Sequence, residues 1–116
     1  MKKPLTPYAH GISDYLFAVL YTALPKVLKV NKKAQKLYTA TALIVTANNA
    51  MTNSSPHIAG VLSTKAHKRN DEMVLAAMTI MSAAKFIRDD KKTLSMHLFL
   101  MAASLANYML TDWKHE

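Results

Sequence analysis

The sequence predicts an all-α protein, a four-helix transmembrane bundle built from two repeated helical hairpins. Three observations predict this fold class: four long segments carry no charged residue, a set of motifs occurs twice, and only 2 of the 116 residues are glycine. So few glycines disfavour a β-rich fold with many tight turns and exclude a glycine-rich phosphate loop. The length fits one domain, so we expect residues 1–116 to form a single membrane domain.

The four charge-free segments predict helices that lie in lipid. None contains Asp, Glu, Lys or Arg, and each is apolar or small on nearly every side when drawn as a helix. Such a helix is either buried in a large protein or surrounded by lipid, and this chain is too short to bury four of them. The segments are residues 15–25, 37–52, 73–84 and 94–111.

Polar ends extend these segments to membrane-spanning length. A span needs about 20 residues, so we expect the first helix over residues 8–28 and the third over residues 66–87. Lys26 and Lys85 would then reach back to the lipid headgroups. Aromatic side chains near the expected ends fit an interfacial belt; they are Tyr8, Tyr15, Tyr38, Tyr108 and Trp113.

Composition and local pattern exclude several other classes. The absence of cysteine excludes disulfides, thiolate zinc sites and iron–sulfur clusters. The first apolar run is not expected to be a cleaved secretory signal, because His10 and Asp14 interrupt it and no A-x-A site lies directly after Pro25. No serine lies in a nucleophile elbow, so we expect no enzymatic activity.

An internal repeat divides the chain into two units, about residues 8–56 and 65–113. Each unit begins with a His-x-x-x-Asp motif and ends with an Asn-x-x-x-Thr motif. This order predicts a duplicated helical hairpin, whose copies enter the membrane from the same side and are related by an axis along the membrane normal. The repeated residues are His10, Asp14, Asn48 and Thr52, then His67, Asp71, Asn107 and Thr111.

Short motifs along nearly the whole chain carry a family resemblance. They are His10-Gly11-Ile12-Ser13-Asp14, Ala23-Leu24-Pro25, Thr52-Asn53-x-x-Pro56 before Lys65-Ala66-His67, and Leu110-Thr111-Asp112-Trp113. The chain resembles the SPW-repeat family of small bacterial integral membrane proteins, whose two-helix units combine a His-x-x-x-Asp start with Ser-Pro-Trp. That triplet is replaced here by residues 23–25 and 82–84. The resemblance implies the architecture and a bacterial cytoplasmic membrane location, but no activity.

The two His-x-x-x-Asp pairs are the main candidate site. A spacing of four places both side chains on one helical face. In the first interpretation each pair satisfies itself at the membrane interface and sets helix register. If the first and third helices pack together, however, His10, Asp14, His67 and Asp71 converge, and these ligand types suit zinc, manganese or non-haem iron. Proton handling and contact with lipid headgroups are further alternatives.

His97 is a candidate haem ligand. With His10 or His67 it could form a bis-imidazole site between helices, next to the small residues at positions 102, 103 and 106. No second histidine lies at a comparable depth, which argues against this site. The methionines are interpreted as packing residues and not as a copper site. We therefore expect no resident cofactor, with metal and haem kept as alternatives.

Asn48 and Asn107 are expected to make interhelical polar contacts. An amide in hydrocarbon seeks a partner, and such a bond contributes about 0.6–2 kcal/mol. Their equivalent places in the repeat predict that they face each other across the pseudo-two-fold axis, near Thr52 and Thr111. The alternative is a polar lining for the path of a small solute.

The formal net charge of +8 is interpreted as affinity for lipid headgroups and not for nucleic acid, since no aromatic residues are interleaved with the lysines. The expected headgroup contacts are Lys29, Lys32, Lys33 and Lys36. Lys and Arg are more numerous in the two turns, residues 26–36 and 85–92, than at the end that holds both termini. The positive-inside rule therefore predicts cytoplasmic turns, with both termini outside.

These observations predict a non-enzymatic component of the membrane that binds lipid or a small apolar molecule, with membrane lipids and a second copy of the chain as partners. One alternative is a metal- or haem-binding protein for redox or proton transfer, which would use the two His-x-x-x-Asp motifs. Another alternative is a soluble four-helix protein whose bare helices meet in an oligomer. The residues name no substrate.

Overall fold

The computed structural model describes residues 3–114 and is an all-α helical bundle. The prediction of an all-α fold with four main helices is confirmed. A fifth, short helix of 4 residues lies between the third and the last main helix. The helices are α1 (Pro7–Val27), α2 (Lys32–Ala50), α3 (Thr64–Met81), α4 (Lys85–Arg88) and α5 (Lys91–Met109).

Side-chain caps determine where the first three helices begin. Thr6, Asn31 and Ser63 each accept a hydrogen bond from the backbone N–H three residues later. Such a cap satisfies one of the four free N–H groups of a helix start. Thr6 and Ser63 hold equivalent places in the two repeat units, four residues before His10 and His67. The caps therefore give both histidines the same position on their helices.

Two isolated parallel β-bridges tie the repeat units together at one end of the bundle. Leu5, ahead of α1, pairs with Thr111 after α5, and Leu62, ahead of α3, pairs with Thr52 after α2. Each bridge has two backbone hydrogen bonds of 2.8–3.1 Å. The start of each unit is thus bound to the end of the other unit. The repeated motifs at these four chain positions are held at the same end of the bundle.

The core lies where α1, α2 and α5 pack, with α3 closing one side. The rings of Tyr21 and Tyr38 are 5.7 Å apart, and the Tyr38 ring lies 6.0 Å from the ring of His97. Buried methionines fill space in the core, as the sequence predicted. The buried apolar residues include Tyr21, Ala34, Tyr38, Met78, Met96 and Leu100.

The third helix differs from the helix expected over residues 66–87. α3 ends at Met81, and the backbone turns at residues 82–84 before α4 begins at Lys85. The Ser82 hydroxyl and the His97 imidazole both bond to the Met78 carbonyl oxygen, in the last turn of α3. The bond from His97 comes from tertiary packing, because His97 lies in α5.

The outer faces of the main helices carry large apolar side chains that the bundle leaves exposed. They include Leu16, Val19, Leu43, Ile44, Ile80 and Phe99. Within residues 3–114, no helix is both long enough and apolar enough to cross a membrane. The transmembrane placement of the bundle stays a prediction.

Candidate metal centre

The side chains of His10, Asp14, His67 and Asp71 meet at the end of the bundle where α1 and α3 begin. His10 Nε2 lies 2.7 Å from Asp71 Oδ2, and His67 Nε2 lies 2.9 Å from Asp14 Oδ2. Within each motif the same atoms are 3.2 Å and 3.6 Å apart. Each imidazole is therefore closer to the carboxylate of the other motif than to its own. The two Nε2 and two Oδ2 atoms thus form a closed quadrilateral of contacts in which nitrogen and oxygen alternate.

The other nitrogen of His10 is held by a hydroxyl group. His10 Nδ1 lies 2.8 Å from Thr111 Oγ1, and that hydroxyl donates to the Asn107 carbonyl oxygen at 2.6 Å. A hydroxyl has a single hydrogen, which is used on the carbonyl. It can therefore only accept from the imidazole, so His10 Nδ1 carries a hydrogen and Nε2 faces the carboxylates.

His67 has the same arrangement from the other repeat unit. His67 Nδ1 lies 2.8 Å from Thr52 Oγ1, which donates to the Asn48 carbonyl oxygen at 2.6 Å. The hydrogen of Nδ1 is fixed by the same reasoning. Metal-binding histidines typically use one ring nitrogen for the metal and the other for a hydrogen bond that fixes the tautomer. Both histidines of this cluster have that form.

Burial and charge act in opposite directions on the two imidazoles. His10 and His67 are each only 2% exposed. Burial lowers an imidazole pKa, but hydrogen bonds and attraction from Asp14 and Asp71 outweigh it and raise the pKa of both histidines to about 9. Burial likewise raises the pKa of Asp71, and its hydrogen bonds to the histidines reverse this and lower it. Metal-free, the cluster pairs two imidazolium groups with two carboxylates.

The indole ring of Trp113 covers one side of the cluster. Its centroid lies 4.6 Å from that of His10 and 5.9 Å from that of His67. The indole Nε1 donates to the Tyr108 carbonyl oxygen at 3.1 Å, which holds the ring in place. Trp113 is the only tryptophan of the chain, so its fluorescence reports on this site.

The spacing of the four donor atoms is close to that of a metal site. One ligand atom from each residue lies within 4.8 Å of the others. Zinc–nitrogen and zinc–oxygen bonds place neighbouring tetrahedral ligands about 3.3–3.6 Å apart. The nitrogen–oxygen separations here are 2.7–3.6 Å. For an ion of this kind, the nitrogen–oxygen separations would have to change by about 0.6 Å or less.

Asn48 and Asn107 do not bond to each other, although the sequence predicted that they face one another. Asn107 Nδ2 donates to Asp14 Oδ1 at 3.4 Å, and Asn48 Oδ1 accepts from Asn70 Nδ2 at 2.7 Å. Both are interhelical contacts, and one of them reaches a carboxylate of the cluster.

His97 lies apart from the cluster. Its Nε2 is 2.9 Å from the Met78 carbonyl oxygen, which can only accept, so Nε2 carries the hydrogen and Nδ1 accepts from the Tyr38 hydroxyl at 2.6 Å. Ten residues of α5, about 15 Å, separate it from Asn107. The alternative in which His97 pairs with His10 or His67 around a haem finds no support in this packing, because both ring nitrogens of His97 are bonded to Tyr38 and Met78. His97 is a satisfied core residue.

The lysines expected to contact headgroups lie at the other end of the bundle. About 25 Å of α1 separates His10 from Val27, and the lysines follow. Lys29 occupies the left-handed region with φ 54° in the turn between α1 and α2, and Lys33 Nζ lies 6.0 Å above the Phe86 ring. The four lysines are Lys29, Lys32, Lys33 and Lys36. None of them belongs to the cluster of His10, Asp14, His67 and Asp71.

Sequence reasoning missed the roles of Gly11 and Trp113 at the site. Gly11 lies directly after His10, and a Cβ atom there would lie 2.5 Å from Ser55 Cβ. Its carbonyl oxygen accepts from Asn49 Nδ2 at 2.6 Å. One of only two glycines, placed inside a helix beside a candidate ligand, was the signal for this close approach. Nothing local indicated that Trp113 covers the histidines.

Compared with models of known protein families, with curated proteins and with solved structures, the chain matches none. The resemblance to the SPW-repeat family therefore stays a prediction from its motifs. The function has to be argued from the geometry of the site.

Proposed function

We propose that this protein binds one divalent transition-metal ion through His10, Asp14, His67 and Asp71. The observation that carries the proposal is the orientation of the two imidazoles. Each has its Nδ1 hydrogen fixed by a threonine hydroxyl and its Nε2 directed at two carboxylates. Two imidazoles with two carboxylates suit zinc, manganese or non-haem iron.

The charge of the site also supports a divalent ion. Asp14 and Asp71 supply two negative charges, and neutral imidazoles add none. A divalent cation bound there leaves no net charge in a largely buried site, and an uncompensated buried charge is strongly destabilising. A trivalent or monovalent ion would leave one charge unbalanced.

A purely structural role explains less of the geometry. An imidazole–carboxylate pair that only holds two helices together needs one ring nitrogen. Here both nitrogens of both rings have defined partners, and the threonines that orient them come from the opposite repeat unit. Such outer partners are typical of metal ligands, whose affinity depends on them.

The test is a titration of the metal-free protein with Co²⁺, in which binding is measured by calorimetry and by the quenching of Trp113 fluorescence. We expect one Co²⁺ per chain. His67→Ala should lower the affinity at least 100-fold, because it removes a ligand. The matched control is His57→Ala, an exposed histidine outside the cluster, which should bind as the wild type does. The proposal is wrong if the wild type does not bind, or if both variants bind equally.

We also propose that the bundle resides in a lipid membrane. The exposed apolar side chains of the main helices and the charge-free segments support this placement. The metal ligands lie outside the charge-free segments of their helices, which start at Tyr15 and Met73. Metal binding is tested on the purified protein, and membrane placement is tested by substitutions on the exposed face of α1.

A further inference from the structure

A small cavity lies beside the metal ligands, inside the bundle. Its volume is about 20 Å³, and all four main helices contribute to its wall. A cavity needs about 10–15 Å³ to hold one water molecule, so this one has room for a water. The wall includes Phe17, Val45, Val74, Ser104 and Asn107, together with Asp14 and Asp71 of the cluster.

The polar groups of the wall are concentrated at the cluster. The Ser104 and Tyr21 hydroxyls bond to each other, and the Tyr108 hydroxyl donates to Glu72. The carboxylates of Asp14 and Asp71 keep acceptor capacity, because a carboxylate accepts about four hydrogen bonds. The rest of the wall is largely apolar. A fitting ligand is thus small and donates hydrogen bonds toward the carboxylates.

Trp113 also contacts both imidazoles, edge-on at His10 and tilted at His67, but it is not part of the cavity wall. An ion held by the four side chains is therefore accessible to an additional donor from the cavity. Zinc, manganese and iron all accept a fifth ligand.

We propose that this cavity holds one neutral water molecule as an additional ligand of the bound metal and excludes larger donors such as acetate. This inference rests on the proposed metal binding. It defines the ligand class: a donor with one heavy atom, held between the ion and an apolar wall. The size limit comes from the cavity, because a volume of about 20 Å³ is close to the minimum for one water molecule and too small for the four heavy atoms of acetate.

The experiment uses the full chain loaded with Co²⁺. Electron–nuclear double resonance in deuterated water detects the exchangeable hydrogens of a coordinated water. We expect one coordinated water in the wild type, and no change of the Co²⁺ absorption spectrum in excess acetate. Val45→Ile and Val74→Ile each add a methylene group at the cavity wall. They should remove the water signal while Co²⁺ still binds. Val19→Ile, on the exposed face of α1, is the matched control and should keep the signal.

The possible results separate the two proposals. If Co²⁺ does not bind to the wild type, the metal centre and this inference both fail. If Co²⁺ binds without a coordinated water, or if acetate changes its spectrum, the metal centre stands and this inference is wrong. The inference is also wrong if both cavity variants fold and bind Co²⁺ but keep the water signal. If one of them does not fold, the other decides.

Discussion

At the residue scale, the proposed metal binding depends on two threonine hydroxyls that would not themselves touch the ion. The hydroxyls of Thr111 and Thr52 each accept a hydrogen bond from an imidazole Nδ1–H and donate one to a helix carbonyl oxygen. They hold each ring in the tautomer and direction that a metal ion needs. Losing such an orienting partner typically lowers metal affinity 10–100-fold.

Thr111→Val tests this role, because valine keeps the shape of threonine and removes the hydroxyl. We expect the Co²⁺ affinity to fall about 10–100-fold and the free energy of unfolding to fall by about 1–3 kcal/mol, since the buried Nδ1–H loses its acceptor. Thr111→Ser should retain most of both. Thr79→Val is the control, because its exposed hydroxyl bonds the Leu75 carbonyl and does not touch the cluster. Wild-type affinity in Thr111→Val would contradict the orienting role.

The metal-free cluster should also make stability depend on pH. The pKa of His10 and His67 is raised from 6.5 to about 9 by Asp14 and Asp71. A group whose pKa is raised in the folded state binds its proton more tightly there, so its contribution is complete below about pH 6.5 and is lost as the pH rises through about 9. Urea denaturation of the metal-free protein between these values should show a falling free energy of unfolding. In His67→Gln the fall should be smaller. A flat profile, or one that rises with pH, would contradict the pairing.

The four residues of the candidate metal site could be predicted from the sequence, whereas their orientation could not. The spacing of His10 and Asp14 is local and visible as one helical face. The bond between His10 and Thr111 joins positions at opposite ends of the chain, so it depends on how the repeat units pack. Asn107 was expected to meet Asn48, but a nearby carboxylate gives its amide a charged partner.

At the element scale, α1 packs unusually closely against the loop that follows α2. The approach occurs at Gly11, where a Cβ atom would lie 2.5 Å from Ser55 Cβ and 3.0 Å from Pro56 Cδ. Because His10 directly precedes Gly11, the packing of α1 against this loop also sets the position of a candidate metal ligand. The glycine makes the approach possible.

Gly11→Ala should therefore destabilise the protein, although the same change inside an ordinary helix stabilises by roughly 0.5–1 kcal/mol. We expect a loss of about 1–3 kcal/mol from the overlap with the loop, read from urea denaturation, together with weaker Co²⁺ binding. Adding Ser55→Gly removes the nearest atom, so Gly11→Ala should cost less in that background than in the wild type. Equal costs in both backgrounds would show that the contact with Ser55 is not the cause.

The helix ends show where sequence patterns stop being informative. α1 begins and ends close to the expected positions, because the capping hydroxyl of Thr6 and the lysine-rich turn are local signals. The end of α3 was missed, since Ser82 and two alanines have no strong local stop signal. The turn there is set by contacts with His97 of α5. Local rules cannot include a partner that lies in another helix.

At the scale of the whole molecule, the exposed apolar faces determine which environment the bundle requires. Val19 is 64% exposed in the middle of α1, and Val27 is 74% exposed at its end, next to Lys26. In water the two positions are equivalent. In lipid they differ, because a lysine at the centre of a membrane helix costs about 2.5–3.5 kcal/mol, whereas one near the end reaches the headgroups.

Comparing Val19→Lys with Val27→Lys therefore distinguishes lipid from water as the surroundings of α1. If the bundle resides in lipid, the wild type and Val27→Lys should sediment with membranes, resist extraction by alkaline carbonate and need detergent, while Val19→Lys should be depleted from that fraction. Exposed sites in water usually tolerate such a change within about 0.5 kcal/mol, so equal recovery of all three without detergent contradicts the membrane placement. If a second copy covers these faces, the wild type should be a dimer in plain buffer and Val19→Lys should dissociate it, because an unpaired charge is costly to bury between two apolar faces.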